Sequence, residues 1–252
     1  MPRFFIRKEQ IEDNRITLTG DDAHHVARSL RMAVGEEITV CDMQGNEYFC
    51  TISGFDADRE VYADITDMHH ADNEPPCRIR LFQALSKGDK LDTVIQKSVE
   101  CGVYEIIPFE SERCIVRLKD EAEQRKTERR NKIAAEAAKQ CGRGILPTVS
   151  PTVTFEKALE LANASELRLF CYEGDGTLPL GKVLDEYLTQ GGDGSAPEIS
   201  VMIGSEGGFS QAEASAAISA GMIPIGLGKR ILRTETAPIF ALSCIILKCE
   251  LS

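Results

Sequence analysis

Five residues, Asp72-Asn73-Glu74-Pro75-Pro76, divide the chain into two stretches with different rhythms. Consecutive prolines cannot continue a helix or donate to a sheet ladder, so residues 72–76 form an extended linker. Before it, residues 1–71 carry short alternating or apolar runs at 16–18, 37–41, 48–52 and 61–65. Turn signals separate them, notably Gln44-Gly45-Asn46 and residues 54–58. Several short strands with regular turns predict a small β-barrel. One helical pattern interrupts, over 21–31, with Ala23, Val26, Ala27 and Leu30 on one face.

Beyond the linker, residues 77–252 alternate between strand and helix. Strands are expected over 78–85, 104–109, 167–172, 199–203 and 222–227. Helices are expected over 89–102, 120–141, 155–164, 180–188, 210–220 and 237–249. This alternation predicts an α/β domain with a parallel sheet. Leu91, Val94, Ile95, Ser98 and Val99 form the inward face of the first helix, and Gly102 ends it. Gly142 ends the long second one. Ser210-Gln211-Ala212-Glu213 is a capping box. Gly191-Gly192-Asp193-Gly194 reads as a loop.

At 252 residues the chain can hold one large domain or two modest ones. No apolar run approaches the roughly 18 residues that a membrane span needs. The start, Met1-Pro2-Arg3-Phe4-Phe5-Ile6, lacks the layout of a secretory signal. Nine scattered cysteines include no Cys-x-x-Cys pair, which argues against a metal ribbon or a dithiol redox site. They fit reduced thiols in a cytosol, so a cytoplasmic protein is expected. Neither His24-His25 nor His69-His70 has a ligand-like spacing, and no metal is expected.

The net charge of −11 argues against a generally basic surface but leaves room for a local patch. Residues 113–143 supply one, with ten basic residues, Lys119 among them, against five acidic ones. The middle of that stretch reads as a solvated helix with ion pairs such as Glu121→Arg125 and Glu128→Lys132.

Two loops carry the chemistry. One is Gly204-Ser205-Glu206-Gly207-Gly208-Phe209-Ser210. The other is Leu227-Gly228-Lys229-Arg230-Ile231-Leu232-Arg233-Thr234-Glu235-Thr236-Ala237. Each follows an apolar run that reads as a buried strand, and loops at strand carboxyl ends are where open α/β sheets bind ligands. The first matches neither the dinucleotide fingerprint nor the P-loop. No Lys-Ser/Thr follows its glycines, and Glu206 would repel a phosphate. A carboxylate there suits a ligand with hydroxyls or a positive charge. In the second loop Thr234 or Thr236 can cap the final helix, and Pro238 suits its first turn. Ile231 and Leu232 suit the walls around a flat ring.

At these two loops the chain resembles the RsmE branch of the SPOUT methyltransferases. The resemblance extends to Gln96-Lys97-Ser98-Val99-Glu100-Cys101-Gly102-Val103, to Glu110-Ser111-Glu112-Arg113-Cys114, and to Glu136-Ala137-Ala138-Lys139-Gln140-Cys141-Gly142-Arg143. Pro2-Arg3-Phe4-Phe5 and residues 25–32 fit as well, so it covers essentially the whole chain. It implies a deep trefoil knot in the C-terminal domain, a PUA-like RNA-binding barrel over 1–71, and a homodimer in which the apolar last helix is a fitting partner surface. It implies S-adenosylmethionine as cofactor, and methyl transfer to N3 of a uridine in 16S ribosomal RNA, bare or within the small ribosomal subunit. Glu173, Ile203, Gly204, Ser205, Gly207, Leu227, Gly228, Ile231 and Leu232 are then the expected cofactor contacts. Arg233, Glu235 and Glu206 are the candidate catalytic residues. Arg3, Arg7, Arg28, Arg31, Arg113 and Arg143 are the candidate RNA contacts. One position departs from the branch: Ser205 stands where proline is usual. Gly-Ser-Glu-Gly is closer to the wording of relatives that methylate the ribose 2′-oxygen, which keeps that target as the alternative.

Overall fold

The structure, a computed structural model, describes residues 1–56, 60–117, 120–189 and 196–251. Part of the 54–58 turn, Lys119 and the 191–194 loop lie outside the described residues. The chain divides into two compact units. One comprises Met1–Glu74 with Ala138–Leu146, and the other Pro75–Ala137 with Pro147–Ser252.

The first unit contains a six-stranded sheet. Its strands are β1 (Arg3–Phe5), β2 (Ile11–Glu12), β3 (Arg15–Thr19), β4 (Glu37–Cys41), β5 (Asn46–Asp56) and β6 (Glu60–His70). They lie in the order β1-β4-β5-β6-β3-β2, antiparallel except for β1 against β4. Among the described residues, β1 and β2 end this order. Alternation along β3 and β5 sends Ile16, Leu18, Cys50 and Ile52 to a shared core with Phe4, Ile38 and Val40. The helical segment starts as α1 (Gly20–His24) and widens into a π-turn over His25–Leu30. That widening shifts the period. Ala23 and Val26 are buried as expected, but Leu30 is 41% exposed.

Polar contacts within this unit explain why residues 138–146 belong to it. Arg143 donates to both carboxylate oxygens of Glu74, and the Gly144 amide donates to Glu74 Oε1 at 2.8 Å. Lys139 Nζ lies 2.8 Å from Asp22 Oδ1, over the ring of Phe4.

The second unit contains an eight-stranded sheet, parallel throughout. Its strands are β7 (Arg78–Ala84), β8 (Glu105–Glu110), β9 (Thr148–Val149), β10 (Val153–Thr154), β11 (Leu167–Cys171), β12 (Leu178–Pro179), β13 (Glu198–Ile203) and β14 (Ile223–Gly226). The order is β10-β8-β7-β13-β11-β14-β12, with β9 also on β8. β13 is buried from Ile199 to Ile203, the continuous apolar pattern of a strand covered on both faces. The sequence pattern misses β1, β2, β9, β10 and β12.

The helices are α2 (Lys90–Glu100), α3 (Asp120–Cys141), α4 (Phe155–Ala162), α5 (Leu180–Thr189), α6 (Gln211–Ser219) and α7 (Thr236–Cys249). In α2 the five residues expected to face inward are the buried ones. It stops at Gly102, φ +83°, where the Val103 amide donates back to Ser98 O at 3.0 Å, a Schellman ending. On α3, Glu128 accepts from Gln124 Nε2 at 3.1 Å.

Candidate active site

Because the sheet is parallel, the loops that follow β11, β13 and β14 leave its same edge, and these three strands are neighbours. Ligands bind at such carboxyl ends. The loops enclose a cavity of about 800 Å³ within the second unit.

The glutamate loop folds back on itself. The Gly208 amide donates to Ser205 O at 2.9 Å, and Gly208 sits at φ +64°, where an L side chain is strained. A Cβ on Gly207 would lie 3.0 Å from Arg113 Cβ, so glycine lets the 111–117 segment close on this loop. Arg113 Nη1 also donates to Gly207 O at 3.1 Å. Phe209 turns inward against Phe170, with ring centroids 4.5 Å apart. Ser210 then starts α6 with the expected capping box. Glu213 N donates to Ser210 Oγ at 3.2 Å, and Ser210 N donates to Glu213 Oε2 at 2.9 Å.

In the second loop Thr234 does not cap α7. The N-cap is Glu235, without a side-chain cap bond, and Thr236 is already helical. Pro238 does fall in the first turn. Buried Thr234 instead donates to Gly204 O at 2.8 Å and accepts from Gln83 Nε2 at 3.1 Å. It therefore ties this loop to the glutamate loop and to the end of β7. Ile231 is 82% exposed beside the cavity, an apolar surface that calls for a ligand to cover it.

All nine expected cofactor contacts line this cavity: Glu173, Ile203, Gly204, Ser205, Gly207, Leu227, Gly228, Ile231 and Leu232. Glu206, Arg233 and Arg113 line it too. Glu235 does not, but it connects through Lys90, a residue the sequence reading missed. Lys90 Nζ is 2.8 Å from Glu206 Oε1 and 3.7 Å from Glu235 Oε2. A signal for Lys90 was present. It follows β7, whose carboxyl end lies on the same sheet edge, and it opens a helix. Burial pushes the Glu206 carboxyl up, but donors from Lys90 and from the Lys87 main chain outweigh it and hold the group below its ordinary value.

Two arginines expected at RNA are engaged elsewhere. Arg3 pairs with Glu47 and donates to Arg143 O at 3.2 Å and Cys41 Sγ at 3.0 Å. Arg143 is only 4% exposed and bound to Glu74. Both guanidinium groups are held within the first unit by these partners. Arg7, Arg28 and Arg31 are exposed.

The family description "RNA methyltransferase domain" matches residues 73–246, and "RNA methyltransferase PUA domain" matches residues 18–63. A ribosomal RNA small subunit methyltransferase E from Bacillus subtilis is 34% identical, over all of this chain and 98% of the relative. The chain belongs to this RNA methyltransferase family. A ribosomal RNA small subunit methyltransferase E from Neisseria gonorrhoeae, solved bound to S-adenosyl methionine, superposes with a TM-score of 0.82 at 32% identity. That match covers 97% of this chain and 96% of the other. A putative methyltransferase from Legionella pneumophila, solved with its cofactor SAM, matches with a TM-score of 0.82 at 30% identity over 96% of each chain. This member of the family is an S-adenosylmethionine-dependent methyltransferase. The cavity suits that cofactor: glycine-bearing loops allow close backbone approach, apolar Leu227, Ile231 and Leu232 stand beside them, and Glu206 and Glu173 offer charge to a cationic ligand.

Proposed function

We propose that this protein transfers a methyl group to N3 of a uridine in 16S ribosomal RNA. The observation that carries the reading is the full-length likeness to relatives named ribosomal RNA small subunit methyltransferase E, at 34% identity, joined to a cavity lined by Glu206 and Arg233. Bound S-adenosylmethionine supplies an electrophilic methyl carbon. The chain's part is to orient two reactants and to handle one proton. Backbone groups of residues 227–232 hold the adenine. N3 of neutral uracil carries a proton and must lose it to become a good nucleophile. Arg233 stabilises the resulting negative charge at O2 or O4. Glu206 and Glu235 are the candidate proton acceptors.

N3 lies on the Watson–Crick edge, so the uridine must be single-stranded or flipped out. The unit containing residues 1–71 positions the RNA through Arg7, Arg28 and Arg31, and Arg113 contacts it at the cavity. The protein acts as a homodimer. Thr236, Phe240, Ser243 and Leu247 are exposed along one stripe of α7, and its two large apolar side chains, Phe240 at 41% and Leu247 at 52%, suit a second copy. The knotted chain path, the three-part division at 72–76 and a cytoplasmic location belong to the same proposal. Among the described residues no helix is long and apolar enough to cross a membrane.

The test is direct. The protein, labelled cofactor and unmodified small ribosomal subunits are incubated, and the RNA is digested for mass spectrometry. A single 3-methyluridine supports the proposal. Methyl on a ribose oxygen, the alternative that Ser205 keeps open, overturns it.

A further inference from the structure

Lys90 is the first helical residue of α2, outside both signature loops. Its side chain nonetheless lines the cavity. The two carboxylates beside it belong to different loops. Glu206 follows β13, and Glu235 stands at the end of the segment that follows β14. The Lys87 amide adds a second donor to Glu206 Oε1, at 3.2 Å. Glu235 Oε2 is buried and accepts no hydrogen bond among the described residues. Burying a carboxylate oxygen without a donor is costly unless a cation lies near. The Lys90 ammonium, 3.7 Å away, is such a cation.

We propose that Lys90 is a positioning residue for methyl transfer: its ammonium joins Glu206 to Glu235 and so sets the spacing of the two loops that hold cofactor and substrate. The geometry divides the work. Glu206 takes a hydrogen bond at 2.8 Å, while Glu235 stands farther off, an ion pair at 3.7 Å. An ammonium has three donors, so this arrangement leaves capacity toward the cavity.

The pair also fixes the charge state of Glu206. With a hydrogen-bonded cation beside it, Glu206 stays an anion, and so able to accept a proton or an N–H hydrogen bond, at lower pH. Other charged groups line the same cavity: Arg113 after β8, Glu173 after β11, and Lys229, Arg230 and Arg233 after β14. Lys90 differs from them in its hydrogen bond to Glu206. The inference rests on the cofactor site and on methyl transfer, and not on which RNA atom receives the methyl.

Full-length wild type, Lys90→Met and Lys90→Arg are compared. Methionine keeps the stem and removes the charge, while arginine keeps the charge. Single-turnover methyl transfer to small ribosomal subunits is followed across pH at saturating S-adenosylmethionine. S-adenosylhomocysteine affinity is measured by calorimetry. Lys90→Met should slow transfer at least 30-fold while weakening S-adenosylhomocysteine less than about fivefold. Its acid limb should move to higher pH, because Glu206 loses its cation. Lys90→Arg should leave the limb in place and recover most of the rate. A Lys90→Met rate within threefold of wild type overturns the proposal. So does a slow variant with an unmoved limb, or one that arginine does not rescue. If the methyl is found on a ribose, the N3 reading fails, but the three rates still decide the role of Lys90.

Discussion

The Thr234 hydroxyl links three segments: its own loop, Gly204 O at 2.8 Å and Gln83 Nε2 at 3.1 Å. A threonine just before a helix reads as a cap, and only the tertiary structure shows it bonded elsewhere. Thr234→Val keeps the shape, leaves the buried Gln83 amide only the Ala84 carbonyl at 3.2 Å, and takes the hydroxyl donor from Gly204 O. Such a loss costs about 1–3 kcal/mol. Urea unfolding should show it, together with weaker cofactor binding; an unchanged midpoint would contradict the linking role. Arg233 is exposed and lines the cavity, in the loop that follows β14. Arg233→Ala should reduce single-turnover transfer by about 10²–10³-fold, as loss of a charge-stabilising donor does. Cofactor affinity should change only a few-fold, and wild-type transfer would remove Arg233 from the mechanism. Lys90 marks the limit of such reading. A basic side chain looks the same in sequence whether a carboxylate from a distant segment or solvent faces it.

Elements were legible where local signals agreed. In α2 the apolar period, the left-handed Gly102 and the buried face all coincide. In α6 the capping box was readable because both partners lie within four residues. Ser210→Ala removes one half of that box and should cost about 1 kcal/mol, read as a lower denaturant midpoint. The effect should be confined to stability unless the glutamate loop loosens with it, which cofactor titration would detect. Elements were illegible where neighbours decide. β9, β10 and β12 are two residues each and exist because an adjacent parallel strand offers hydrogen bonds. The π-turn after α1 inserts a residue into the helical period, so Leu30 leaves the face that the 3.6-residue count assigned to it.

For the molecule as a whole, the change of rhythm at residue 72 shows that two architectures meet, but the first unit also recruits residues 138–146 from far along the chain. No local pattern announces a discontinuous unit. Acid should destabilise both units. Asp42 in the first accepts from the Asn46 side chain and from the Gln44 and Asn46 main-chain amides, and Glu123 in the second from the Thr152 hydroxyl and main-chain amide. Burial pushes both carboxyls up, but these donors prevail and hold them below their ordinary values. A carboxylate that is more acidic folded than unfolded contributes stability above its unfolded value and loses it as pH falls through the folded one. The melting temperature should therefore fall as pH drops below about 4.5, and Glu123→Gln should flatten that fall.

The recruited segment gives a sharper test. Arg143 is 4% exposed, and Glu74 takes its guanidinium together with the amides of Gly144 and Ile145. Glu74→Ala would remove the carboxylate that pairs with buried Arg143 and accepts from the Gly144 and Ile145 amides. Removing one partner of a buried pair costs about 3–5 kcal/mol, far more than the pair contributes over an apolar replacement. Glu74→Ala should therefore unfold at a markedly lower urea concentration, with early proteolysis near residues 138–146. Glu74→Ala with Arg143→Met, which removes the cation as well, should recover part of that stability. If the double variant is no more stable than the single one, the buried charge is not the source of the loss.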